Sequence, residues 1–474
     1  MHRLTHRAPA RSAMASAIRL GLVAAALAVA GSALSQTPTP TPAAADEQEA
    51  KTLDAVNVSA LGSRGQPRSE ALSAAPIDII SGAEFHNQGT VDLLDQMRVL
   101  VPSFQVSTVP IDDAATLVRP ANLRGLPPDS TLVLLNGKRR HRSAVITFLG
   151  RGLADGSQGP DISTIPSLAL EQVEVLRDGA AAQYGSDAIA GVINFNLKRL
   201  TEGGSVEAFY NQTYEGDGTT QQLAAQIGST LGADGFATFT AEWRQADPTS
   251  RSVQRPDAAE AAAAGYPNVP NPAQIWGSPE VNRDFKMIAN LGVSGENIDY
   301  YLFGNVASRD VDGGFYYRNP TSRAGVYSLD GGATLAIGNL GGAACPSIAL
   351  RNAAGALIPF ATVNAQVRAL PSNCYTFLSL LPGGFTPRFG GIVRDAALTG
   401  GAKGEWNNGI RYDFSASRGQ SEVDFYMLNT INASLGPNQP ADLTFRPGSN
   451  VQTETNFNAD FARSVETGFT AFPM

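Results

Sequence analysis

The residues able to do covalent or metal chemistry are few, and their spacing does not suit it. Asp155-Gly156-Ser157-Gln158-Gly159 lacks the first glycine of a nucleophile elbow. No Gly-x4-Gly-Lys-Ser/Thr phosphate loop occurs. Beyond the first 35 residues the only histidines are His86 and His141, too few for a histidine metal centre, and both are expected at the surface. The carboxylates show no spacing that singles out a catalytic pair. Cys345 and Cys374 are the only cysteines and are not in CxxC spacing, so a zinc site is not supported. In an exported chain they are expected to pair as a disulfide. The reading is therefore of a protein that is not an enzyme and needs no cofactor. One charged run stands out, Lys138-Arg139-Arg140-His141-Arg142. It suits an anionic solute or, as the favoured reading, acidic side chains on a surrounding element.

The elements that would hold such residues change character along the chain. Arg3, Arg7, Arg11 and Arg19 precede or flank an apolar run at 20–30, and small residues at Ala33 and Ser35 suit cleavage before Gln36. This is a secretory signal over 1–35, too short to span a membrane. Loss of its four arginines would take the formal charge from −8 to −12, which argues against nucleic-acid partners. Residues 36–51 are a Pro/Ala-rich linker. From about 75 to 198 short apolar runs mix with one amphipathic helix at 90–98, the pattern of a small α+β domain.

From Gly204 onward the period becomes two. Ala237, Phe239, Ala241 and Trp243 alternate with Thr238, Thr240, Glu242 and Arg244. Strands are expected at 204–214, 219–231, 235–245, 284–294, 298–309, 394–406, 410–428 and 452–464. Tight joints fall after the second, fourth and sixth, and long excursions, 246–283 and 310–393, after the third and fifth. A soluble β-sandwich alternates too, but it has no reason to sort short and long connections to opposite ends, as outer-membrane barrels do.

Leu123-Arg124-Gly125, with Thr131 to Arg139 including Asn136-Gly137, resembles the central plug motif of TonB-dependent outer-membrane receptors. The stretch Val173-Glu174-Val175-Leu176-Arg177-Asp178-Gly179, then Gln183-Tyr184-Gly185-Ser186-Asp187-Ala188-Ile189-Ala190-Gly191-Val192-Ile193-Asn194, resembles the motif that closes the same plug. Gln172 stands where an arginine is common, and Ala181 where a serine is. Leu53-Asp54-Ala55-Val56-Asn57-Val58-Ser59-Ala60 resembles the TonB box, an extended segment able to add as a strand to a partner's sheet edge. The resemblance implies an α+β plug domain over 61–200, followed over 201–474 by antiparallel transmembrane β-barrel strands. Arg124, Glu174 and Arg177 are expected to meet charged barrel-interior side chains such as Glu242 and Arg244. Gly179, Gly185 and Gly191 are expected at sharp bends or close approaches.

The resemblance further implies uptake of a scarce solute, a ferric siderophore first and carbohydrate, peptide or vitamin B12 as alternatives. Its implied partners are TonB at the periplasmic face, an extracellular small molecule and outer-membrane lipid. A non-transporting adhesin or phage receptor would use the same long loops without needing residues 53–60. About eight strands are legible against the 22 of plugged transporters, so the expectation is an incomplete barrel in a fragment that does not transport alone.

Overall fold

The computed structural model describes residues 57–58, 68–69, 77–106, 111, 114–119, 121–147, 155–177 and 179–463. The signal and linker expectations, and all of the TonB box-like segment except the backbone of Asn57 and Val58, lie outside them.

A short antiparallel pair, β1 (Asn57–Val58) with β2 (Arg68–Ser69), comes first. The plug then assembles β3 (Ile77–Ser81), β4 (Phe104–Val106), β5 (Ala121–Leu123), β6 (Thr131–Leu135), β7 (Lys138–Arg139), β8 (Leu170–Leu176) and β9 (Gly191–Leu197). Five of these form one sheet in the order β3-β8-β9-β6-β7, parallel only between β6 and β9. The amphipathic helix runs Leu93–Leu100 rather than 90–98, because Asp92 caps it by accepting from the amides of Leu94 and Asp95. Its Leu93, Leu94 and Met97 close over Phe85, Phe104, Ile165, Val173 and Phe195 in one apolar core. That core continues outward to Ile288 and Phe303 on the surrounding sheet.

The surrounding wall is a single eight-stranded antiparallel sheet. Its strands are β10 (Gly204–Asn211), β11 (Thr220–Thr230), β12 (Gly235–Ala246), β13 (Glu280–Ser294) and β14 (Ile298–Gly314), then β17 (Arg388–Glu405), β18 (Ile410–Leu428) and β19 (Phe445–Arg463). The sheet does not close: β10 and β19 are its outer strands. All eight expected strands are present, and several run further toward the long loops than the alternation indicated. The long excursions accordingly shorten to 247–279 and 315–387.

Burial on the wall is inverted. Thr238, Thr240, Glu242 and Arg244 are sealed from solvent, while Phe239 and Trp243 face outward. Leu223, Ile227, Leu302, Leu398 and Phe457 share that outward exposure on other strands. A sheet whose polar face is covered by protein and whose apolar face is bare is built for hydrocarbon. No helix among the described residues is long and apolar enough to cross a membrane, which says nothing against strands doing so.

The two long excursions fold on each other. Helices Pro256–Ala263 and Phe360–Arg368, with the short pair β15 (Gly338–Asn339) and β16 (Cys374–Tyr375), enclose a second apolar core of Tyr266, Tyr327, Leu335, Ile348, Leu350, Val363 and Phe377. Cys345 is disulfide-bonded to Cys374 beside it, across 29 residues of sequence.

Candidate functional site: the seating of the plug in the wall

The motif residues gather inside the plug. Asn136 and Gly137 both have positive φ, 49° and 77°, and turn β6 tightly into β7. The Gly137 amide donates to Asn194 Oδ1 at 2.9 Å, and Asn136 Oδ1 accepts from the Leu197 amide at 2.9 Å. Asn194 in turn donates to the fully buried Glu174 carboxylate at 3.0 Å, as does Asn196, while Gln172 donates to it at 2.7 Å. One network thus stitches β6, β8 and β9 together, which suits a buried carboxylate that must be hydrogen-bonded to be tolerated. A Cβ on Gly191 would fall 2.2 Å from the Leu176 carbonyl oxygen, so that position has no room for a side chain. Gly185 holds φ of 90° after the helix Ala181–Tyr184, and Tyr184 packs beside Leu132, Leu134 and Val192. Gly179 lies near the Ile189 carbonyl, and Arg124 and Gly125 form the positive-φ turn that follows β5.

Among the described residues, Glu174 accepts from Gln172, Asn194 and Asn196 inside the plug, and Arg177 pairs with the plug's Asp78 at 2.7 Å rather than with the wall. Arg124 is an exposed turn residue. On the wall, Glu242 holds its cross-strand partner Lys286 at 2.7 Å. Arg244 holds Asp284 at 3.5 Å and, reaching inward, the plug's Asp92 at 3.0 Å. Sequence spacing names the charges but not their partners, because partners are fixed by where the plug's loops meet the wall.

Among the described residues several ion pairs carry the contact; His86 Nδ1 lies 3.3 Å from Glu207 of β10, and four larger clusters accompany it. Asp92 joins Arg244, and within the plug Arg119, which also reaches Asp95 at 3.3 Å. Burial would raise the Asp92 carboxyl, but Arg119 and Arg244 outweigh it and hold the group well below the usual carboxylate range. Asp95 moves the other way: burial and the neighbouring Asp92 charge raise it. Asp161 pairs with Arg309 of β14 at 3.2 Å. Lys138 pairs with Asp413 at 2.9 Å and Asp460 at 3.5 Å.

The most enclosed cluster is on Asp395 of β17. Arg140 pairs with it, His141 Nε2 lies 2.8 Å from its Oδ2, and Asn305 donates to it at 3.0 Å. His141 is therefore buried, not a surface residue. It fits because β18 carries Gly419 opposite it, where a Cβ would fall 2.2 Å from the imidazole Nδ1. The basic run thus divides. Lys138, Arg140 and His141 meet wall acids, while Arg139 and Arg142 pair with the plug's own Asp187. Burial opposes ionisation of Asp187, but Arg139 and Arg142 prevail and lower it.

A compact plug seated by ion pairs against the polar face of an outward-apolar antiparallel sheet defines a class: outer-membrane proteins with a plugged β-sheet wall. Residues 70–192 match the TonB-dependent receptor plug domain. The chain thus carries a TonB-dependent receptor plug domain, followed by this antiparallel wall. Among curated relatives, a ferric enterobactin receptor of Pseudomonas aeruginosa is 30% identical over 174 residues, covering 35% of this chain and 23% of the relative. A vitamin B12 transporter of Vibrio vulnificus is 32% identical over 147 residues, covering 31% and 21%. The matches thus span less than a quarter of either relative's own length. A crystal structure of a ferric enterobactin receptor mutant from Pseudomonas aeruginosa is 15% identical, with a TM-score of 0.45 over 83% of this chain and 46% of that one. The family is one of outer-membrane receptors and transporters.

Proposed function

We propose that this chain serves in energy-coupled uptake of a scarce extracellular solute, with a ferric siderophore as the favoured cargo. The observation that supports it most is the seating of the plug. Its apolar core is largely its own, and its hold on the wall includes discrete ion pairs and hydrogen bonds. Such contacts can be exchanged for water one cluster at a time, so a pull on the plug need not expose a large apolar surface. The long-loop end is then the extracellular side and the tight-turn end the periplasmic side. Leu53, Asp54, Ala55, Val56, Asn57, Val58, Ser59 and Ala60 are the segment through which TonB pulls, by strand addition. Relatives named as ferric enterobactin receptors and as a vitamin B12 transporter support the cargo class and mark its main alternative.

Proline at Val56 or Val58 tests this, since it removes a ladder donor and fixes φ. Introduced into the membrane-inserted receptor, it should abolish solute uptake while leaving surface binding intact. Unchanged uptake would overturn the coupling role. A surface receptor that transports nothing would lose neither property when residues 53–60 are deleted.

A further inference from the structure

The outward face of the wall changes chemistry along its length. Strands β17, β18 and β19 have 18, 19 and 19 residues, although about 9–11 tilted residues cross a bilayer core. The rest of each strand stands beyond the hydrocarbon. Toward the long-loop end the outward positions of β17 run Leu398, Ala396, Arg394, Ile392, Gly390, Arg388. Those of β18 run Phe414, Ala416, Arg418, Gln420, Glu422, Asp424, Tyr426. An apolar band thus gives way to a charged belt. The belt is local to β13, β14, β17 and β18. The outward positions of β10, β11 and β12 end in the uncharged rung Tyr210, Gln221 and Gln245, and those of β19 in Thr453, Val451 and Ser449.

Ion pairs across strands fix the belt. Arg388 bridges Glu280 of β13 and Asp312 of β14, and Asn282 donates to the same Asp312 at 3.0 Å. Arg394 bridges Asp424 and, at 3.4 Å, Glu422. Tyr426 donates to Asp310 at 2.7 Å, and its ring takes space that a side chain on Gly390 would fill, since a Cβ there would fall 2.4 Å from it. Asp310, Asp312, Arg388 and Tyr426 line one cavity of about 380 Å³, together with Arg446 at the start of β19. Asp312 is only 3% exposed and Tyr426 8%. Three exposed arginines remain. Arg283 is the register partner of Asp310, yet among the described residues it makes no ion pair, and neither do Arg418 and Arg446.

We infer that this belt binds the phosphorylated sugar headgroup of a glycolipid in the outer leaflet. A lipid whose acyl chains cover Leu398, Ala396 and Ala416 places its headgroup against the next outward positions of the same strands, so the occupant of the belt is continuous with the occupant of the band. Guanidinium takes phosphate bidentately, and the long stem of Arg418 reaches from the band to headgroup level. Carboxylates held in place by Arg388 and Arg394 keep spare lone pairs, and with Asn282 they match the donors and acceptors of vicinal sugar hydroxyls. The cavity falls in the size range of small-molecule sites, and a plain phosphodiester head would leave its polar lining unused. The inference concerns the lipid around the wall and stands apart from the cargo reading.

Native mass spectrometry of the membrane-inserted protein, extracted in detergent, decides it with two probes. One is diphosphoryl lipid A carrying its inner-core sugars. The other is phosphatidylglycerol, a phosphate lipid without a sugar ring. The glycolipid should bind roughly 10-fold or more tightly than phosphatidylglycerol. Arg283→Gln and Arg446→Gln, both at exposed positions without ion pairs, should each weaken it roughly 10-fold and together roughly 100-fold, the scale of one and two lost charge-assisted contacts. Arg368→Gln, which removes the same charge from the long loop, should change nothing. Equal binding of the two lipids, no retained glycolipid, binding indifferent to Arg283 and Arg446, or a second copy of the chain held on the belt in place of lipid would each overturn the inference.

Discussion

Plug and wall are assembled from the same side-chain types placed in opposite senses. In the plug, Phe85, Leu94, Met97 and Phe195 are sealed from solvent and define the interior. In the wall, Glu242, Asp284, Lys286 and Asp395 are as deeply enclosed, and it is Leu223, Leu302, Leu398 and Phe457 that are bare. Hydrophobic burial alone explains the first region but not the second. The wall makes sense only if its outer face is solvated by hydrocarbon and its inner face by the plug. Each buried charge there needs a partner, and the partner belongs to the other region as often as to the wall itself. The plug is thus the solvent for half of the wall, and the contact between them sets the cost of moving either.

The comparison can be broken at four places. The largest effect is expected at Asp395. Asp395→Ala strands Arg140 and His141 in a buried site, and removing one member of a buried pair costs about 3–5 kcal/mol. Loosening of the plug in hydrogen exchange at β6–β7, with the wall strands unaffected, would identify the contact as the seat. Equal loosening of both would mean that Asp395 merely supports the wall.

Next comes the loop fold. Replacing Cys345 and Cys374 with serine should destabilise the excursions by about 3–4 kcal/mol on the chain-entropy account of a closed loop of this size. Proteolysis of 315–387 should accelerate without release of the plug.

Third, Leu398 lies near the middle of β17 and faces outward. Leu398→Arg should cost about 2–4 kcal/mol if that face is in hydrocarbon. A change within about 0.5 kcal/mol, typical of a water-exposed surface site, would return the wall to the soluble β-sandwich class.

The smallest effect is expected at Asp95, set against its neighbour Asp92. The Asp92 carboxyl is depressed in the fold, so its contribution is complete above the unfolded carboxyl value of about 3.9 and fades as pH falls below it. The Asp95 carboxyl is raised, so its ionisation works against the fold as pH climbs through its folded value. Asp95→Asn should therefore leave stability at neutral pH within about 1 kcal/mol of the parent, or slightly above it. Asp92→Asn should lower it and flatten its acid dependence, as thermal melts at neutral pH and pH 3 would record.

The strands were legible because a two-residue period survives any tertiary context that keeps one face in lipid and one on protein. Their ends toward the long loops were not. Beyond the apolar band, stretches such as Asp310-Val311-Asp312-Gly313-Gly314 keep the ladder but lose the alternation. Asn136-Gly137 and Gly191 were readable because turn geometry and lack of space are local demands. The partners of Glu174, Arg177 and Arg244 were not, since Asp92 and Arg244 are far apart in sequence and meet only once the plug is seated. The same holds for the core shared by the excursions, where Tyr266 meets Phe360 at a tilt, ring centroids 5.1 Å apart. Each loop read alone is a run of small and polar residues with scattered rings. The depth of His141 was hidden for a different reason: the space it occupies is created by a residue that has no side chain.

That missing side chain at Gly419 also fixes a register. Ser417 and Ser421 share its inward face, so a plug shifted along β18 would bring the His141 ring against one of their side chains. The gap works as a keyway for one seating of the plug. Only in that position do Arg140 and Asp395 come into line. A Cβ at Gly419 would meet the imidazole of His141, so the two positions are coupled in size although one lies in the plug and the other in the wall.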